Sequence, residues 1–161
     1  MIAPGATIQR DMEGDSVMRS SQLPVVLQDQ LCAAIPMLLQ EQRVCGVKKL
    51  RAWLREDKRA GIAAQAADSP EPELLRAAEM AGMAVVNSTL ILPSTGDKNS
   101  DPFRGLIIRE LKLQNALQKP DLLEKAREEL KVEISNSVYN RVLKEFCVFR
   151  SNAWVLRTGN E

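Results

Sequence analysis

The chain repeats itself, and that repeat constrains its fold more than any single residue does. Laid over itself at a shift of 64 residues, Leu74 falls on Val138, Ala78 on Val142, Met83 on Cys147, Val85 on Phe149, Leu90 on Trp154 and Leu92 on Leu156. The pair Asn87-Ser88 falls on Ser151-Asn152. Upstream a shift of 73 fits better, setting Ala34 on Ile107, Leu38 on Leu111 and Val44 on Leu117. The extra length in the first copy falls in the polar stretch 60–69, where an insertion costs little loop-closure entropy. Self-similarity of this kind marks a duplicated supersecondary unit.

The periodicity within each copy predicts its elements. Leu27, Leu31, Ala34 and Leu38 recur at helical spacing after Pro24, and Pro36 inside that pattern is expected to kink or shorten the helix. Residues 47–59 predict a second helix with Val47, Leu50, Trp53 and Leu54 inward. Ser69 is expected to cap a third helix, opened by Pro70 and stopped at Gly82. Met83 to Leu92 then reads as two short strands around Asn87-Ser88. In the second copy Asp101-Pro102 caps and opens a helix ending near Asn115, and Pro120 to Leu130 gives another. Ser135 caps the last, whose apolar stripe is Val138, Tyr139, Val142, Leu143 and Phe146. Cys147 to Arg157 supplies the second pair of strands.

Helix, short strand, helix, helix and a two-stranded ribbon is the winged-helix order. A plain helical bundle has no reason to end each half in alternating strands. The expected class is therefore α+β, mostly α, with two tandem winged-helix domains of three helices and a two- to three-stranded wing each. Their bounds are 23–94 and 101–161, joined by a polar linker at 95–100 and preceded by a disordered tail at 1–22.

Composition narrows the chemistry. Histidine is absent, which removes the usual general base, the commonest metal ligand and the side chain that titrates near neutrality. No glycine-rich phosphate loop is present, and Glu128 and Glu129 are adjacent on a helix and so point apart. The expectation is a protein that is not an enzyme, with no catalytic residue, cofactor, metal or small-molecule ligand. Cys32, Cys45 and Cys147 are odd in number and form no Cys-x-x-Cys pair, which predicts buried thiols in a reducing compartment. No apolar run reaches membrane-spanning length and residues 1–22 lack a signal-peptide pattern, so no membrane partner is expected. With 22 basic against 21 acidic residues, any polyanion must be met by a local patch.

Two such patches stand out. Lys48, Arg51, Arg55 and Arg59 fall on one side of the second helix, opposite Leu50 and Leu54, as a surface for an acidic partner or a nucleic-acid backbone. The last helix presents Ser137, Asn140, Arg141 and Lys144, donor and acceptor types that read a major groove, while Arg150 and Arg157 in the wing could hold phosphate. The matching positions of the first copy are Glu73, Arg76, Ala77 and Met80, with Glu71 and Glu79 close by, a face that phosphate would repel. Weak duplex-DNA contact is therefore assigned to the second copy alone. Trp53 and Trp154 sit in register with apolar neighbours and are expected in the core.

The stretch SNSVYNRVLKEFCVFRSNAWVLRTG resembles the last winged helix of the fifth specific subunit of RNA polymerase III in its animal form. PELLRAAEMAGMAVVNSTLILP is similar to the penultimate winged helix of the same C-terminal extension, as are the opening helix from Pro24, the Val44 strand and the helix containing Leu50. This resemblance spans residues 23–159. It implies a nuclear, non-catalytic subunit region that serves as a protein-interaction and assembly module in the transcription of short RNAs. The partners it implies are other polymerase III subunits and initiation factors. The family's larger N-terminal part, which pairs with another polymerase subunit, has no counterpart in this sequence, so a fragment or a separate small relative is expected. The alternatives are a DNA-binding winged-helix protein acting through its second domain and a tandem winged-helix adaptor of another complex, which fold alone cannot separate.

Overall fold

The computed structural model describes residues 23–160, so the expected tail at 1–22 lies outside the described residues. The class is α+β and mostly helical. In chain order the elements are α1 (Val25–Gln42), β1 (Val44–Gly46), α2 (Val47–Glu56), 3-10 turns over Lys58–Ala66, α3 (Glu71–Met80), β2 (Ala84–Val86) and β3 (Thr89–Ile91). There follow α4 (Asp101–Leu113), α5 (Lys119–Lys125) running into a π turn over Ala126–Leu130, α6 (Asn136–Phe146), β4 (Cys147–Arg150) and β5 (Ala153–Leu156).

Both halves end in the expected hairpin. Asn87 and Ser88 have φ of 50° and 65°, and Ser151 and Asn152 have 51° and 63°. Two successive left-handed residues match the strand twist of a type I′ turn, and short polar side chains tolerate that backbone best. The three strands of the first half lie in the order β1-β3-β2, all antiparallel, with Cys45 opposite Leu90. In the second half β4 pairs with β5, and Leu117 bridges Trp154 through two backbone hydrogen bonds of 2.8 and 2.9 Å. Leu117 thus stands beside Trp154 as Cys45 stands beside Leu90. The duplication survives in topology, one residue out of the register that pairs Val44 with Leu117.

Strand alternation decides how the halves meet. One face of the first sheet, carrying Cys45, Val85 and Leu90, packs with Leu31, Leu38, Leu50, Leu54 and Leu74. The other face, carrying Val44, Val86 and Ile91, belongs to the core of Phe103, Ile107, Leu122, Tyr139, Leu143 and Phe146. Side chains alternate across a strand, so a sheet apolar on both faces can be covered twice. Here it is the layer between two helical units.

Five local expectations are corrected. Pro36 does not shorten α1, which runs unbroken through it to Gln42; packing of Leu31, Ala34, Ile35, Leu38 and Leu39 outweighs the lost amide bond of about 3 kcal/mol. The helix expected over 47–59 stops at Glu56, because Asp57 is extended and its carboxylate accepts the Arg59 amide at 2.8 Å, capping the 3-10 turns. Those turns are packed, not a tolerated insertion: Ala60, Ala63 and Ala66 are buried, with Gly61 at a φ of 55° breaking the run between them. Ser69 caps nothing; Pro70 holds the cap position of α3, and the Ser69 carbonyl accepts from Arg51 Nη1. Asp101 lies inside the first turn of α4, and its carboxylate accepts from the Ser94 hydroxyl and from the Thr95 and Gly96 amides at 2.8 to 2.9 Å, tying down the segment expected as a linker.

Candidate interaction surfaces

The basic face of α2 is largely consumed by the protein itself. Arg51 Nη1 donates to the Ala67 and Ser69 carbonyls at 2.9 and 2.6 Å, locking the 3-10 segment to α2. Arg55 pairs with Asp68. Arg59 lies beyond the end of α2 and makes a two-pronged contact with Glu41 at 2.6 and 3.1 Å while also meeting Asp57. The Arg59 contacts pull the Asp57 carboxyl down to about 2. Lys48 is exposed and forms no ion pair with a described residue. The four-cation stripe read from helical spacing is therefore not one face, because the helix ends before Arg59 and carboxylates neutralise two of its members.

The first copy's third helix also differs from its expected outward set. Glu73 and Ala77 are buried, Glu73 beneath a 3.1 Å ion pair with Arg76, while Met80 is exposed. Glu71 accepts from the Ser88 hydroxyl at 2.8 Å, joining α3 to its hairpin turn.

On α6 the reading from helical spacing is kept. Ser135 Oγ accepts the Val138 amide at 3.2 Å and starts the helix, which turns Tyr139, Val142, Leu143 and Phe146 inward. Ser137, Asn140, Arg141 and Lys144 are exposed together. Arg141 is drawn to Asp97 at 3.2 Å. Arg150, at the hairpin turn, is exposed. Arg157 is turned away from the wing surface: its guanidinium donates to the Glu145 carbonyl, at 3.0 Å from Nε, and closes the end of α6.

Trp154 is half-buried, unlike its fully buried counterpart Leu90. Its indole N–H donates to the Tyr139 hydroxyl at 2.8 Å, and its ring meets Tyr139 and Phe149 edge-on, with centroids 6.3 and 5.2 Å away. Phe149 itself is 58% exposed. Trp53, expected in the core, is likewise half-buried.

Two junctions between the halves have no counterpart in the sequence reading. Arg104, 1% exposed, donates from Nε to the Leu92 carbonyl at 2.9 Å and from Nη1 to Glu145 at 2.7 Å, with its guanidinium 4.5 Å from the Phe146 ring centroid. Glu145 also faces Arg43 at 3.7 Å. The second junction is the segment 158–160. The Gly46 amide donates to the Gly159 carbonyl at 2.8 Å, and Asn160 Oδ1 accepts the Lys49 amide at 3.1 Å, capping α2 from the far end of the chain. An arginine in an otherwise apolar helix stripe was the available signal for the first. The second has none, since its partners are 111 residues apart.

Cys45 and Cys147 are buried, their thiols pushed up to about 12 by desolvation, and Cys32 is half-buried. Among the described residues no group of His, Cys, Asp and Glu could hold a metal ion, and no helix is long and apolar enough to cross a membrane. No protein-family model matches the chain, and no curated protein matches it in sequence.

Proposed function

We propose that the chain is a tandem winged-helix module whose work is to hold other proteins together, in the manner of the C-terminal extension of the RNA polymerase III subunit that its sequence resembles. The observation that carries this reading is the sheet β1-β3-β2, covered on both faces by the two halves and tied across by Arg104. Such a layer makes a rigid spacer of two small units that would otherwise swing independently. Consumption of Arg51, Arg55 and Arg59 by internal partners supports the same reading, because a phosphate-binding face needs cations free to release counterions. On this reading the protein acts in the nucleus and its partners are polymerase III subunits and initiation factors.

A second reading, duplex-DNA binding through the second half, rests on exposed Ser137, Asn140 and Lys144 on α6 and on exposed Arg150 at the hairpin turn. Titrating a labelled duplex with the full chain at rising salt separates the two. The interaction-module reading expects no measurable complex at low salt; a tight complex whose affinity falls steeply with salt would overturn it.

A further inference from the structure

The second hairpin carries an open groove of about 430 Å³ between the start of α5, the exposed side of α6 and the strands, lined among others by Lys119, Pro120, Tyr139, Asn140, Phe149 and Trp154. We propose that this groove and the free edge of β4 take an extended acidic peptide with an apolar anchor residue, supplied by a partner protein. The proposal rests on the interaction-module reading and names the chemistry of one partner.

Three observations fix the occupant. Phe149 is the exposed member of an aromatic cluster with Trp154 and Tyr139, and a large ring beside a groove is an anchor site for a side chain. The cation in the groove wall, Lys119, meets no carboxylate. Lys119 Nζ lies 4.9 Å from the Tyr139 ring centroid and reaches only the Asn136 carboxamide, at 3.4 Å; Lys144, one turn on from Asn140, and Arg150 lie outside the lining and form no ion pair with a described residue. Asp121 and Glu124 are the carboxylates of α5, and neither pairs with Lys119. Finally, β4 is the outer strand: β5 pairs with it on one side, and no described strand lies on the other. An unpaired edge is a template for another peptide backbone, a partner that duplex or single-stranded DNA cannot replace.

The test is fluorescence anisotropy with the full chain and a labelled synthetic peptide in which glutamates alternate with valine around a central phenylalanine. A glutamine version of the peptide and an oligothymidylate serve as comparison probes. The proposal expects saturable binding of the glutamate peptide, at least roughly tenfold weaker for the glutamine version, and a comparable loss with Phe149→Ala and with Lys119→Glu. Lys112→Glu, at an exposed position of α4, is expected to leave binding unchanged. Both groove positions are exposed, and the far-ultraviolet circular dichroism and urea midpoint of each variant check that the fold is kept. No saturable binding, equal binding of the glutamine peptide, or preference for the oligothymidylate overturns the proposal. Co-purification with polymerase subunits is read separately, so failure of this site and failure of the broader reading are distinguishable.

Discussion

Arg104 Nη1 stands 2.7 Å from Glu145 Oε1, joining α4 to α6 where the Arg104 Nε also meets the Leu92 carbonyl at the end of the first sheet. One guanidinium therefore holds three segments, and its burial makes the loss of its partner costly. Glu145→Ala leaves that charge buried without its carboxylate and is expected to lower stability by about 3 kcal/mol, the smaller end of the range because Glu145 keeps some exposure. Arg104→Met removes the buried charge together with its need for a partner and should cost less. Urea unfolding of both variants checks the order; an Arg104→Met loss equal to or above that of Glu145→Ala would contradict it.

The segment 158–160 supplies the cap that Gly46 cannot. Asn160→Ala is expected to cost about 1 kcal/mol, the usual value of an N-cap. Gly46→Ala should cost more, because a methyl there would stand 2.5 Å from the Thr158 carbonyl oxygen and expel the segment. Hydrogen exchange at the Lys49 amide reads both directly: it should quicken in each variant.

The thiols should separate by burial. At neutral pH Cys32 is expected to alkylate first, while Cys45 and Cys147 react only after unfolding. Their folded values are raised, so the stability that neutral buried thiols contribute is complete below pH 9, the ordinary thiol value, and is lost as pH climbs towards about 12. Mass spectrometry of alkylated native protein gives the first result; denaturation midpoints across that pH window give the second.

Asp101 works in the opposite direction. The Thr95 amide, helped by the Ser94 hydroxyl and the Gly96 amide, holds its carboxyl down at about 2. A lowered carboxylate contributes stability above its ordinary value of 3.8 and loses it as pH falls towards 2. Asp101→Ala is expected to cost about 1 kcal/mol at neutral pH and to flatten the acid limb. Proton exchange at Thr95 and Gly96 should quicken in the variant.

Legibility in the sequence followed range. The hairpins were readable because Asn87-Ser88 and Ser151-Asn152 are residues that tolerate a left-handed backbone, and the α6 stripe because a 3.6-residue period is written locally. The buried 3-10 turns were missed because Gly61, at a φ of 55°, breaks the segment into short turns whose buried alanines match neither a helix nor a strand period. The basic face of α2 looked free because the acceptors for Arg51, Arg55 and Arg59 lie in other segments: Ala67 and Ser69, Asp68, and Glu41. Register also fell one residue short at Leu117, since an isolated pairing leaves no alternation to count. The bridge that ties the halves together, Arg104 with the Leu92 carbonyl and its partner Glu145 with Arg43, needed α4 and α6 brought side by side against the first sheet before any of these residues meant anything.

Affinity purification of the tagged full chain from nuclear extract, with identification of the co-purifying proteins, tests the assembly role most directly. The account predicts RNA polymerase III subunits, retained at salt that strips nucleic acid. Their consistent absence, with the members of another complex in their place, would contradict it.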